Sequence, residues 1–142
     1  MNKIPVISIV DDDAPGRIAL SSLVRSMGCE PSLFSCAEDF LASARSYETD
    51  CLISDVQMPG MTGLELQAEL LSKGHDIPII FITAYPEESV RKRAKSSGAI
   101  CFLSKPFDGQ VMIDCIEQIL KNREASITYT QVLPSTTYTL DK

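Results

Sequence analysis

Four apolar runs, each closed by a polar residue, set the rhythm of the chain. Ile4-Pro5-Val6-Ile7-Ser8-Ile9-Val10 ends on Asp11-Asp12-Asp13, and Cys51-Leu52-Ile53 ends on Ser54-Asp55. Ile77-Pro78-Ile79-Ile80-Phe81-Ile82 ends on Thr83-Ala84, and Ala99-Ile100-Cys101-Phe102-Leu103 runs into Ser104-Lys105-Pro106. Near-continuous runs of this length suit strands covered on both faces and are too short for helices. A shorter strand is expected at 31–34, where Pro31 fits a sheet edge. Between the runs the apolar spacing becomes helical. Asp13 as N-cap and Pro15 in the first turn start a helix that Gly28 stops, with Ile18, Leu20, Leu23, Val24 and Met27 as its buried face. Ser35 and Glu38 predict a capping box for a helix to about Arg45, with Phe40 and Leu41 turned inward. Thr62 and Glu65 predict a second capping box, opening a helix that Gly74 ends. In that helix Leu64, Ala68 and Leu71 share a face, with Leu66 and Leu70 beside it. A helix at about 87–97 is polar on most sides and ends at Gly98. Asp108 caps a last helix to about Asn122, whose Val111, Met112, Cys115, Ile116, Ile119 and Leu120 recur at core spacing.

Five strands alternating with five helices predict an α/β fold, a doubly wound parallel sheet with right-handed crossovers. The strand order expected is 2-1-3-4-5, known for this flavodoxin-like (βα)5 class rather than dictated by these residues. Strands 1 and 3 carry the acids and would flank its switch point. The expected organisation is one domain over 1–122 and a C-terminal tail or linker over 123–142. That last stretch is rich in Ser, Thr and Tyr, though short alternating pieces at 127–133 and 136–140 leave room for a hairpin.

Composition changes little but excludes much. At 142 residues, 44% hydrophobic and 23% charged, the chain is an ordinary globular domain able to bury a core. A net charge of −6 argues against a nucleic-acid surface. The basic cluster Arg91-Lys92-Arg93 follows Glu87-Glu88, and the i,i+4 spacing of Glu87 to Arg91 and Glu88 to Lys92 predicts a self-compensated helix face. No run approaches a membrane span, and Met1-Asn2-Lys3 leads straight into a strand, unlike a signal peptide. Five cysteines, without a C-x-x-C and several in apolar runs, read as reduced thiols of a cytoplasmic protein. His75 in its polar loop reads as solvated.

The chemistry concentrates in D-C-L-I-S-D-V-Q-M-P-G-M-T-G-L-E-L, residues 50–66. A strand delivers Asp55 to its end, Pro59-Gly60 turns the backbone, and a capped helix leaves. One carboxylate therefore stands at the C-terminal edge of the sheet, where open α/β folds bind ligands. Acid pair, lone acid, hydroxyl and lysine each follow a β-like run in that order. The set resembles the receiver domain of two-component response regulators, over about residues 4–121. The segments I-V-D-D, D-V-Q-M-P-G-M-T-G-L-E-L and K-P-F are most similar to the nitrogen-fixation regulators.

That resemblance implies Asp55 as phosphoryl acceptor, and elementary electrostatics fits it. A carboxylate can attack phosphorus, but it is an anion approaching an anion. Asp11, Asp12 and Asp55 bring −3, which Mg²⁺ and the Lys105 ammonium would neutralise. The resemblance implies that Asp12, Asp55 and the backbone carbonyl of Gln57 hold Mg²⁺, with Asp11 acting largely through water. It further implies a cis peptide before Pro106, Thr83 hydrogen-bonded to a phosphoryl oxygen, and Phe102 as the switch aromatic. The implied donor is a histidine kinase or histidine-phosphotransfer protein. The implied output is a changed face of helix 4, strand 5 and helix 5, suited to homodimer or partner binding rather than DNA. Such a chain would catalyse its own phosphorylation and dephosphorylation without being a turnover enzyme. Two rivals with related chemistry fit less well. A flavodoxin-type site would find its phosphate repelled by Asp11-Asp12-Asp13. A haloacid-dehalogenase-type phosphatase has D-x-D, but Pro15 stands where its Thr is expected. A pseudo-receiver is disfavoured because all five family positions are filled. Gly16 and Tyr85-Pro86 are the departures from the family pattern. Nothing like a helix-turn-helix follows, so a stand-alone receiver and a fragment of a longer regulator both remain open.

Overall fold

The structure, a computed structural model, describes the backbone of residues 3–128 and side chains through Arg123. Five strands, β1 (Val6–Val10), β2 (Glu30–Phe34), β3 (Cys51–Asp55), β4 (Ile79–Thr83) and β5 (Cys101–Ser104), form one parallel sheet in the order β2-β1-β3-β4-β5. Helices α1 (Ala14–Ser26), α2 (Ala37–Ala42), α3 (Gly63–Ser72), α4 (Glu88–Ser96) and α5 (Gly109–Thr128) alternate with them, which is the expected doubly wound topology.

Alternation along the central strands divides the core in two. Val10, Leu52 and Phe81 pack with Phe40 of α2, Leu66 and Leu70 of α3 and Ala94 of α4. Ile9, Ile53, Ile80 and Ile82 face the other way, onto Leu20 and Val24 of α1 and Met112, Ile116 and Ile119 of α5. Strands β1, β3 and β4 are buried throughout, as their unbroken apolar runs require, whereas the edge strands β2 and β5 are only partly covered.

Local signals and observed elements agree where the capping chemistry is unambiguous. Asp13 caps α1 by accepting from the Gly16 amide at 3.1 Å, and Pro15 lies in the first turn. Thr62 and Glu65 form the reciprocal capping box of α3. Asp108 accepts from the Gln110 amide at the start of α5. Gly28, Gly74 and Gly98 follow their helices with φ of +81°, +71° and +100°.

Tertiary packing overrode the rest. Ile18 is 62% exposed, because the inward stripe of α1 runs through Leu20, Ser21 and Val24. The inner face of α3 is Gly63, Leu66, Gln67 and Leu70, so Ala68 and Leu71 point outward. Val111 of α5 is likewise exposed. The Ser35–Glu38 box does not form. Cys36 occupies the cap position without a side-chain bond, and Glu38 accepts instead from the Met61 amide. Helix α2 stops at Ala42, where Ser43 caps a 3-10 segment, Ala44–Glu48. On α4, Glu88 pairs with Arg91 one position closer than expected, at 2.8 Å. His75 is not simply solvated but stacks on Tyr47, with ring centroids 4.8 Å apart. Helix α5 continues past Asn122 to Thr128, through a stretch without Gly or Pro to break it. The first expected hairpin piece therefore begins in helix, and the remainder of that expectation lies outside the described residues.

Candidate functional site

Parallel register builds the site. Val10 pairs with Ser54, so the next residues, Asp11 and Asp55, emerge side by side from β1 and β3. Thr83 pairs with Ser104, which brings Lys105 next to the end of β4, and the Lys105 amide donates to the Thr83 carbonyl at 2.8 Å. The strand ends thus converge acids, hydroxyl and ammonium at one sheet edge.

Strand-end polar side chains also turn the chain. Asp11 Oδ1 accepts from the Asp13 amide at 2.9 Å, Asp55 Oδ1 from the Gln57 amide at 3.2 Å, and Thr83 Oγ1 from the Tyr85 amide at 3.0 Å. Each captures the N–H two residues on, the local bond by which Asp, Asn, Ser and Thr start turns. The same residues that start the loops therefore present their remaining polar atoms to the site. Thr83, 1% exposed, keeps its hydroxyl proton for donation while its oxygen accepts.

Lys105 is the central cation. Its Nζ lies 3.0 Å from Asp55 Oδ2 and 3.2 Å from Asp11 Oδ2. The Lys105–Pro106 peptide is cis. Asp11 is fully buried and Asp55 6% exposed, whereas Asp12 is exposed at the mouth. Burial pushes the Asp55 carboxyl above its usual range; Lys105 opposes this, and the Asp11 charge adds to it. Burial pulls Lys105 down, but its hydrogen bonds and charge contacts with Asp55 and Asp11 outweigh that and hold the ammonium above its ordinary pKa.

Oxygens of Asp11, Asp12 and Asp55 come within 4.8 Å of one another, the cluster that the sequence singled out. An all-oxygen donor set on a partly open edge fits a hard cation that keeps several waters, which describes Mg²⁺. Gln57, expected to contribute its carbonyl, stands two residues after Asp55 on an exposed turn.

Three further residues support the site. Arg17 Nη1 donates to the Asp11 carbonyl at 2.7 Å and ties α1 to the end of β1. A Cβ at Gly16 would lie 2.8 Å from Asp13 Oδ2 and 3.3 Å from Asp11 Oδ2, so this apparent departure makes room for the cap and the acid. A Cβ at Gly63 would come within 2.4 Å of the Asp55 carbonyl, so only glycine lets α3 begin against the end of β3. Spacing could not reveal Arg17 or Gly63, because both contacts depend on how helices dock. Phe102, half-buried on β5, meets Phe81 edge-on at 6.5 Å between centroids and packs against the α2–α3–α4 side of the core.

Comparison with known proteins agrees with this geometry. The family model described as response regulator receiver domain matches residues 7–117. Nodulation protein W of Bradyrhizobium diazoefficiens is 40% identical over 87% of this chain and 56% of its own length. The response regulator protein TmoT of Ectopseudomonas mendocina is 44% identical over 82% of this chain and 53% of its own. The chain thus spans about half the length of these curated relatives. Among solved structures, FixJ-N superposes with a TM-score of 0.76 at 30% identity, covering 95% of this chain and 100% of that one. The response regulator StyR superposes with a TM-score of 0.78 at 42% identity, covering 91% and 67%.

Proposed function

Because the chain belongs to the response regulator receiver domain family, whose members accept phosphoryl groups in two-component signalling, we propose that Asp55 is its phosphoacceptor. The observation that carries this assignment is the buried Asp55 carboxylate at a strand end, bonded to Lys105 and beside two further acids. In the step proposed, a carboxylate oxygen of Asp55 attacks the phosphorus of a phosphohistidine. The P–N bond breaks, the imidazole leaves and takes a proton, and an acyl phosphate remains on Asp55. Lys105 offsets charge on the phosphoryl oxygens, and Thr83 donates a hydrogen bond to one of them. Asp12 and Asp55, with the Gln57 carbonyl and water on Asp11, would hold Mg²⁺. Bound there, the ion would supply the positive charge that Lys105 alone lacks. Incubation with Mg²⁺ and phosphoramidate, read by intact mass, should show one added phosphoryl group that hydroxylamine removes; an unchanged mass would sink the assignment.

The donor fits the cleft beside the acids. A groove of about 610 Å³ runs between α1 and the β5–α5 loop, lined by Leu20, Leu23, Pro106 and Phe107 with Asp11 and Lys105 at its wall. We place the histidine-bearing kinase or phosphotransfer partner there. This chain would work in the cytoplasm, where its free thiols stay reduced. Output is assigned to protein contact, since the net charge of −6 opposes DNA. No helix among the described residues is long and apolar enough to cross a membrane.

The proposed switch couples Thr83 to Phe102. Thr83 swinging toward the phosphoryl group vacates core space and strains its bond to the Tyr85 amide, and Phe102 turns inward to fill the void. The changed face is that of α4, β5 and α5. Thr83→Ala should still bind Mg²⁺ and accept phosphate, up to roughly tenfold more slowly for the loss of one hydrogen bond, yet lose phosphate-dependent association on gel filtration. Thr83→Ala and Phe102→Ala proteins that respond to phosphorylation as wild type does would rule out the coupling.

A further inference from the structure

We propose that Glu38 is a positioning residue for the Asp55 site: from the first turn of α2 its carboxylate holds the crest of the β3–α3 loop, Pro59-Gly60-Met61, and so fixes the backbone on which Gln57 stands beside Asp55. Two observations on one carboxylate oxygen point to it. Glu38 Oε2 accepts from the Met61 amide at 3.0 Å, across 23 residues of sequence. A Cβ on Gly60 would lie 2.8 Å from that same oxygen, so the loop backbone is packed directly onto the carboxylate. Gly60 has φ +77°, which places the bend itself in the left-handed region. The Glu38 carboxyl is held below the usual carboxylate range, first by its own backbone amide and next by the Met61 amide.

The loop is fixed at its other points by the fold. The Val56 amide donates to the Ile82 carbonyl, the Gly63 amide to the Val56 carbonyl, and Met58 is buried. Glu38 completes that set at the outward crest. Removing it frees the backbone between Met58 and Gly63, and the loosening reaches the site through Gln57, the neighbour of Met58, whose amide bonds Asp55 Oδ1 at 3.2 Å. Groups that orient site residues without touching the reacting atoms commonly alter metal affinity on substitution.

This inference rests on the phosphoacceptor reading of Asp55, and the test separates the two. Mg²⁺ dissociation constants by calorimetry and phosphoramidate phosphorylation rates by intact mass are measured on the full chain for wild type, Glu38→Ala, Glu38→Gln, Gly60→Ala and the Glu38→Ala/Gly60→Ala double variant. Glu38→Ala should weaken Mg²⁺ and slow phosphorylation by roughly tenfold. Glu38→Gln retains an acceptor oxygen and should recover most of both. Gly60→Ala adds backbone strain at φ +77° whatever its neighbours, and only the part of its damage that comes from Glu38 should vanish in the double variant, which should be less impaired than the sum of the two single changes. Glu38→Ala with a lowered Tm but wild-type Mg²⁺ affinity and rate would overturn the proposal, as would strict additivity. A wild-type chain that takes up neither Mg²⁺ nor phosphate would overturn the site reading itself, and this inference with it.

Discussion

Asp55→Asn is expected to take up no phosphoryl group while, at neutral pH and without divalent cation, melting higher than wild type. The first half follows from chemistry: the amide cannot supply the carboxylate nucleophile. The second follows from the raised Asp55 pKa, caused first by burial. A carboxyl whose native pKa exceeds its unfolded value disfavours the native state once ionised. Its protonated form is the one the native structure prefers, so stability is gained as pH falls through the native pKa and lost as pH rises. At pH 7 the neutral isostere should therefore raise Tm, by roughly 2–4 °C for a domain of this size. The gain should shrink on acidification and vanish below the ordinary carboxylate value of about 4, where both side chains are neutral. Thermal melts of both proteins from pH 4 to 7.5 in EDTA would show it. An Asp55→Asn protein that melts lower at pH 7, or a difference that widens on acidification, would mean that Lys105 already compensates the ionised pair.

The site behind that expectation was legible in the sequence only in outline. The strand-end acids, Thr83 and Lys105 could be read because a polar residue closing an apolar run marks where a buried strand surfaces, and parallel register then places such residues together. Helix starts could be read where a cap has a reciprocal partner, as with Thr62 and Glu65. The Ser35–Glu38 pair had the same spacing and failed, because Glu38 found a partner 23 residues away that no local rule foresees. Helix faces were misjudged by about one position at Ile18 and Leu71, where several apolar residues competed and docking angle chose between them. Gly16 illustrates the opposite error. It reads as a departure from the family pattern, whereas the space it leaves is used by Asp13 and Asp11. Tertiary contacts decide such positions, and sequence spacing does not record them.

Asp12→Ala and Lys105→Met should move Mg²⁺ stabilisation in opposite directions. In wild type the carboxylates of Asp11, Asp12 and Asp55 and the ammonium of Lys105 leave the site at −2. Asp12→Ala reduces that to −1 and removes an exposed carboxylate proposed to hold the ion, at little cost to the metal-free fold. Lys105→Met raises it to −3 and leaves Asp11, whose side chain is 0% exposed, against Asp55 at 9% with no counter-charge. Stripping one partner from a fully buried pair costs about 3–5 kcal/mol; with Lys105 24% exposed and one acid free to protonate, about 1–3 kcal/mol is expected here. That corresponds to a Tm lower than wild type by roughly 3–8 °C in EDTA. At Mg²⁺ ten times the wild-type Kd, binding to the native state alone adds about 1.4 kcal/mol to wild type. The gain should be near zero for Asp12→Ala and larger than wild type for Lys105→Met, because attraction grows with the site's negative charge. Lys105→Met should also accept phosphate without changing its association state, since the cation that would pair with the phosphoryl oxygens is gone. Differential scanning calorimetry of the three proteins with and without Mg²⁺, with gel filtration after phosphoramidate treatment, measures every part of this. Equal Mg²⁺ gains in all three would show that the cation does not bind among these acids, and a Lys105→Met protein as stable as wild type in EDTA would show that Lys105 does not hold them together.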